Sequence, residues 1–178
     1  MGKKTPIDIL LEGNRKYVES FQLQTSISSS KRIDLVENGQ HPFATIVCCS
    51  DSRVVPEFVF SCGLGELFVI RVAGNVVGED ELASIYYANA HLQTNLIVIL
   101  GHTHCGAVSA SLSSENEAGV APLTKKIRLA IGNEPNPTQA AIRNAVFQAD
   151  LVREKLGLTS DKCLAALYDT ESGVVRFL

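Results

Sequence analysis

The chain has 178 residues, 46% of them hydrophobic and 20% charged, with a formal net charge of −3 and five cysteines. This is the composition of a single globular domain, and with no basic run and no basic-aromatic interleaving it gives no electrostatic case for nucleic acid or an anionic membrane. An odd number of cysteines in a chain whose Met1-Gly2-Lys3-Lys4 start soon meets Asp8 and Glu12 does not read as a secreted disulfide framework. The expectation is a cytoplasmic protein acting on small molecules.

In chain order, Thr5 or Asp8 caps a helix reaching about residue 21, with Ile9, Leu10, Tyr17 and Phe21 at roughly helical spacing. A serine-rich link over 26–30 and a short helix over 33–37 follow. Residues 1–40 bury little by themselves and read as a helical arm lying across either the domain's own sheet or a partner subunit. Residues 41–178 form the α/β core of the one domain. Its first strand is the apolar run Ala44-Thr45-Ile46-Val47-Cys48, ending at Cys49, and a short helix opens near Pro56-Glu57. The next strand covers 66–72, and Ala73-Gly74-Asn75 turns away from its end. A helix over 79–92 spreads Leu82, Ile85, Tyr86, Ala90 and His91 around a wide face.

The run Leu96-Ile97-Val98-Ile99-Leu100 is a third buried strand, and after Cys105-Gly106 a helix over 107–112 aims its free amides back at the strand end. A loop over 115–122, a helix over 123–131 and a two-proline break over 133–137 lead to Thr138, which caps a long helix to residue 156. A hairpin over 163–178 ends the chain, after a connection over 157–162 that is short. Strand-helix alternation gives a three-layer single α/β domain with a mostly parallel central sheet.

Two strands thus end in metal-ligand chemistry, at Cys49-Ser50-Asp51-Ser52-Arg53 and at Gly101-His102-Thr103-His104-Cys105-Gly106. In an open α/β sheet both clusters reach the crevice outside the carboxyl ends of the strands. Cys49, His102 and Cys105 make a three-ligand zinc set that leaves a fourth position for water. Cys48 and His104 sit beside better-placed ligands and point elsewhere, and Cys48, Cys62 and Cys163 read as buried hydrophobes. An Asp51-Arg53 pair keeps the carboxylate ionised and fixes its geometry, which suits orienting a water-derived nucleophile; a plain loop-tying salt bridge is the alternative.

These residues resemble the signature of the β-class carbonic anhydrases. The likeness to Cys49-x-Asp51-x-Arg53 with His102-x-x-Cys105-Gly106 extends to Glu12-Gly13-Asn14-Arg15, Pro56-Glu57, Gly65-Glu66, Arg71 with Ala73-Gly74-Asn75, Tyr87-Ala88, Ala107-Val108 and Tyr168-Asp169. The resemblance implies Zn2+ on Cys49, His102 and Cys105, a catalytic dyad of Asp51 and Arg53, and reversible hydration of carbon dioxide to bicarbonate by zinc-bound hydroxide. It implies that Gln40, Phe68, Ala73, Tyr87 and Gly106 contact substrate, in an apolar pocket shared across a homodimer or an assembly of dimers, with the N-terminal helix covering the neighbour. In that family the counterpart of Asp51 can also close onto the metal. Relatives acting on carbonyl sulfide or carbon disulfide share the ligands and dyad, and a zinc-binding protein without catalysis is a third reading, against which the intact dyad argues. The chain departs from the bicarbonate-inhibited members by having Ile46 where they carry tryptophan, and it has no tryptophan at all. Bicarbonate is therefore expected only as product, with any open-to-closed switching driven by pH through Asp51 and the metal's water.

Overall fold

A computed structural model describes residues 4–19, 27–113 and 117–178. Phe21, Ser26 and Glu115, assigned above to the first helix, the link and a loop, lie outside the described residues. Two helices come first, α1 (Pro6–Glu19) and α2 (Ser29–Asn38), then β1 (Ala44–Cys48), α3 (Pro56–Val59), β2 (Leu67–Arg71), α4 (Glu79–His91) and β3 (Ile97–His102). The chain continues through α5 (Gly106–Leu112), α6 (Ala121–Ile131), α7 (Pro137–Leu156), β4 (Cys163–Tyr168) and β5 (Val175–Phe177).

The sheet runs β2-β1-β3-β4-β5, parallel except for the antiparallel β5. β1 and β3 are buried at every position, as strands covered on both faces must be. Side chains alternate between two cores. Ile46, Cys48, Val98 and Leu100 pack with Leu10, Val54 and Phe60 on one face, while Val47, Ile97 and Ile99 meet Ile85, Ala145, Ala149 and Val152 on the other. α7 approaches β3 closely because small residues line the contact: a Cβ on Gly101 would meet the Ala141 carbonyl and the Ala145 methyl at 3.2 Å each.

The N-terminal helix α1 lies on this chain's own core. Leu10 is fully buried, and a Cβ at Gly13 would come within 1.8 Å of the Phe60 carbonyl oxygen, so only glycine permits this approach. Buried Asn14 donates to the carbonyls of Val59 (3.1 Å) and Gly173 (2.8 Å) and accepts from the Val175 amide at 2.8 Å. The following helix, α2, buries no residue and leaves Val36 85% exposed.

Several boundaries move for local reasons. Ser28 accepts from the Lys31 amide and starts α2 four residues earlier than the spacing of apolar residues indicates, absorbing Ser29 and Ser30 into the helix. The long helix is capped by Asn136, which accepts from the Gln139 amide, with Pro137 in the first turn; Thr138 is already inside it. β1 stops at Cys48, one residue short of the ligand, whereas β3 runs on to include His102. On α4 only Ile85 and Ala88 are buried, and Tyr86, Ala90 and His91 face outward.

Candidate metal centre

The chain goes from β1 to β2 on one side and returns to β3 on the other, so the crevice between the carboxyl ends of β1 and β3 is the switch point of the sheet. Cys49 leaves β1 there, His102 closes β3, and Cys105 caps α5 three residues on. The ligand atoms of all three lie within 4.8 Å of one another and all three residues are buried.

The donor set fits a borderline-soft cation such as zinc. His102 hydrogen-bonds through Nδ1 to the Thr103 carbonyl oxygen at 2.8 Å, while buried Nε2 has no hydrogen-bond partner in the protein. An imidazole anchored through one nitrogen and unpartnered at the other is how a metal-binding histidine is oriented. The pKa of the Cys49 thiol is lowered to about 4, chiefly by a hydrogen bond from Cys105 and further by the Gly74 amide, whose nitrogen is 3.2 Å from the sulfur. The same sulfur-sulfur hydrogen bond, together with burial, pushes Cys105 up, although the Ala107 and Val108 amides at the start of α5 work the other way. Metal ligation requires deprotonated thiols, so binding of a cation would release the Cys105 proton. Cys48, Cys62 and Cys163 are buried apart from this group, and desolvation pushes each thiol up to about 12.

Beside the ligands, Arg53 grips Asp51 as a fork. Nε donates to Oδ1 at 3.0 Å, Nη2 to Oδ2 at 2.8 Å, and the Arg53 amide to Oδ1 at 2.9 Å. These hydrogen bonds hold the Asp51 carboxyl well below the usual carboxylate range. Arg53 Nη2 also donates to the His104 carbonyl oxygen at 3.1 Å, tying the loop after β1 to the loop after β3. His104 turns its ring outward, with Nδ1 3.2 Å from Thr170 Oγ1. Among the described residues no fourth His, Cys, Asp or Glu joins the ligand group, so Asp51 stands with Arg53 and not with the sulfurs.

A sequence profile of the carbonic anhydrase family matches residues 44–174. The chain belongs to the carbonic anhydrase family. Similar relatives include carbonic anhydrase 2 of Mycobacterium tuberculosis, 45% identical over 108 residues that cover 61% of this chain and 52% of the relative. The carbonic anhydrase of Pseudomonas aeruginosa is 32% identical over 182 residues, covering 89% of this chain and 83% of the relative. The chain thus spans about half the length of the mycobacterial relatives and most of the pseudomonad one. Among solved structures, a tetrameric β-carbonic anhydrase of Sordaria macrospora superposes with a TM-score of 0.71 at 26% identity over 84% of this chain and 87% of that one. The β-carbonic anhydrase CcaA gives 0.68 at 28% identity over 96% and 94%. β-Carbonic anhydrases use zinc, and in this family member Cys49, His102 and Cys105 are positioned to hold it.

The remaining residues singled out in the sequence are distributed unevenly. Ala73 and Gly106 flank the cluster, beginning the turn after β2 and the helix α5. Gln40 is exposed beyond α2. Phe68 pairs in register with Thr45, three residues and about 10 Å back from the carboxyl end of its strand. Tyr87 stacks near it on α4, with ring centroids 6.2 Å apart. Phe68 and Tyr87 therefore stand on the β2 side of the molecule, away from this chain's own sulfurs. Two contributors went unassigned in the sequence. Arg71 donates to the carbonyls of Asp51 (2.8 Å) and Cys49 (3.4 Å) and steadies the ligand loop, and Gly74 supplies its amide to the Cys49 sulfur. A Gly-Asn pair after a buried strand signals a left-handed turn, but not what its amides face.

Proposed function

We propose that the protein catalyses the reversible hydration of carbon dioxide to bicarbonate and a proton, with Cys49, His102 and Cys105 as zinc ligands and Asp51 and Arg53 as the catalytic dyad. The observation that carries this reading is an ionised, doubly gripped carboxylate two residues from a metal-ligand sulfur and outside the ligand group. Zinc held in this set supplies the Lewis acidity that makes water a nucleophile near neutral pH. Asp51 accepts a hydrogen bond from the attacking water and turns a lone pair toward the carbon; Arg53 fixes the carboxylate and prevents its protonation. The amides of Gly74, Ala107 and Val108 stabilise negative charge on the two sulfurs.

We further infer a homodimer in which Gln40, Phe68 and Tyr87 of one protomer line the partner's pocket. Support comes from Tyr86 and Tyr87 standing exposed beside the edge strand β2, and from Ile33 and Val36 of α2 exposed with Phe58 and Leu64. A tetrameric relative is consistent with assembly of such dimers. On this reading residues 1–40 are a segment that both packs on its own core through α1 and presents α2 to the neighbour. Five free buried cysteines support a reducing compartment such as the cytoplasm, and no helix among the described residues is long and apolar enough to cross a membrane.

Stopped-flow assays of zinc-loaded wild type, Asp51→Asn and Arg53→Ala test the proposal, with carbonyl sulfide hydrolysis followed on the same preparations. Both variants are expected to keep zinc and lose roughly a hundredfold or more in carbon dioxide turnover. Near-wild-type turnover in either would reduce the dyad to a structural tie, and faster carbonyl sulfide hydrolysis would change the substrate.

A further inference from the structure

Gly74 follows β2 with φ 69° and ψ 20°, and Asn75 continues at φ 45°, so two successive residues occupy the left-handed region. Glycine and asparagine are the residues that adopt this conformation most readily, so the sequence permits the turn, and what packs against it sets its placement. The restraint comes from α7, on the far side of the turn. Asn144 Nδ2 donates to the Gly74 carbonyl oxygen at 2.8 Å, Gln148 Nε2 donates to Asn144 Oδ1 at 3.2 Å, and the Val77 amide donates to Gln148 Oε1 at 3.0 Å.

Both side chains are buried and one helical turn apart. Each amide orients the other. With Oδ1 taken by Gln148, the Asn144 amino group faces Gly74, and with the Val77 amide on its oxygen, the Gln148 amino group faces Asn144. Buried amides destabilise a core unless such bonds are made, and mere packing on this face of α7 is already supplied by Ala141, Ala145, Ala149 and Val152. On its other flank Gly74 is wedged, since a Cβ there would fall 2.7 Å from Ile127 Cδ1 and 3.0 Å from Ala107 Cβ. Gly74 is thus held from its carbonyl side by α7 and from beneath by α5 and α6, which leaves its N–H directed at Cys49 Sγ.

We propose that Asn144, backed by Gln148, is a positioning residue for the metal ligand Cys49. By anchoring Gly74 it holds a backbone donor that reaches the Cys49 sulfur from the turn after β2, and so keeps that sulfur oriented for the metal. Groups that orient a ligand from behind in this way typically change metal affinity when removed. The inference rests on Cys49 being a zinc ligand.

The test compares zinc-loaded wild type with Asn144→Leu, Gln148→Leu, Cys49→Ser and, as a packing control on the same helix, Val152→Ala. Zinc affinity is read by chelator competition, and in the cadmium-113 form the coupling between the metal and the Gly74 amide proton, transmitted through the hydrogen bond to sulfur, is read by NMR. Asn144→Leu is expected to weaken zinc roughly tenfold and to lose the coupling. Gln148→Leu should lose less affinity in the same direction, and Val152→Ala should leave both readouts unchanged while unfolding more easily. Wild-type affinity and an intact coupling in Asn144→Leu would overturn the proposal; should that variant not fold, unchanged readouts in Gln148→Leu would do so. Undiminished zinc in Cys49→Ser would instead remove the ligand assignment beneath it.

Discussion

Asn14→Ala is a sharp test of where α1 belongs. The side chain makes three hydrogen bonds to groups that are otherwise distant in the chain, the Val59 and Gly173 carbonyls and the Val175 amide. Truncation removes all three, but the consequences differ by site. Gly173 is partly exposed, so water can replace the lost donor; Val59 and Val175 are buried, so one carbonyl and one amide lose their Asn14 partner where water cannot follow. At about 1–3 kcal/mol for each such orphaned group, the loss is roughly 4 kcal/mol. That is a large share of the roughly 5–15 kcal/mol that holds a domain together, and at 2–4 °C per kcal/mol it lowers Tm by about 8–16 °C. Urea unfolding of the zinc-loaded protein, repeated over a range of protein concentrations, reads the effect. A concentration-independent fall in midpoint is expected. An unchanged midpoint, or a fall seen only through weakened association, would refute the placement of α1 on its own core. Gly13→Ala should behave similarly, because its new methyl group would displace the helix from Phe60.

Metal analysis should give about one zinc per chain in wild type and a large loss in Cys105→Ser; full retention would remove the ligand set. Sedimentation at micromolar concentration should give a dimer, and Tyr87→Glu, which puts a charge on the aromatic patch beside β2, should shift it toward monomer; a monodisperse active wild-type monomer would contradict the interface. Because the folded-state pKa of Asp51 is depressed, the Asp51-Arg53 link is fully present above the unfolded carboxylate range near 3.9 and is lost only as pH falls through the lower folded value. Activity lost between pH 8 and 6 should therefore leave Asp51 ionised in NMR titration, so that any switching in that range proceeds without protonation of Asp51; proton uptake by Asp51 between pH 8 and 6 would refute this. Ile46 is fully buried in a cluster with Leu10, Val54 and Phe60, whose side chains carry no hydrogen-bond donor for an anion. Steady-state rates at several bicarbonate concentrations should show simple product inhibition, and sigmoidal loss with bicarbonate bound away from the metal would refute this.

The strands and the site were readable for the same reason: a parallel strand buried on both faces is an unbroken apolar run, and what interrupts it at the carboxyl end is chemistry. Cys49, Asp51, Arg53, His102 and Cys105 all announce themselves that way. The fate of α1 was not readable, because its decisive residue, Asn14, is polar and its partners are supplied by α3 and the last hairpin. On α4 the apolar spacing fits more than one face, and only tertiary contacts select Ile85 and Ala88 for burial while leaving Tyr86 and His91 outside. Gly74 showed as a turn, but its service to a sulfur depends on a helix seventy residues further on.

β1 and β3 are neighbours in the sheet but not in the chain, since β2 and α4 are made between them. His102 and Cys105 can meet within a few residues of each other in an unfolded chain, but Cys49 reaches them only once the two parallel strands have paired, and non-local pairing of that kind is slow. A refolding chain exposed to zinc early holds it by two donors and lets it go; one exposed later captures it at once. Tight capture therefore marks the time at which the centre of the sheet has closed, and the delay between mixing and metal retention is a clock for that event.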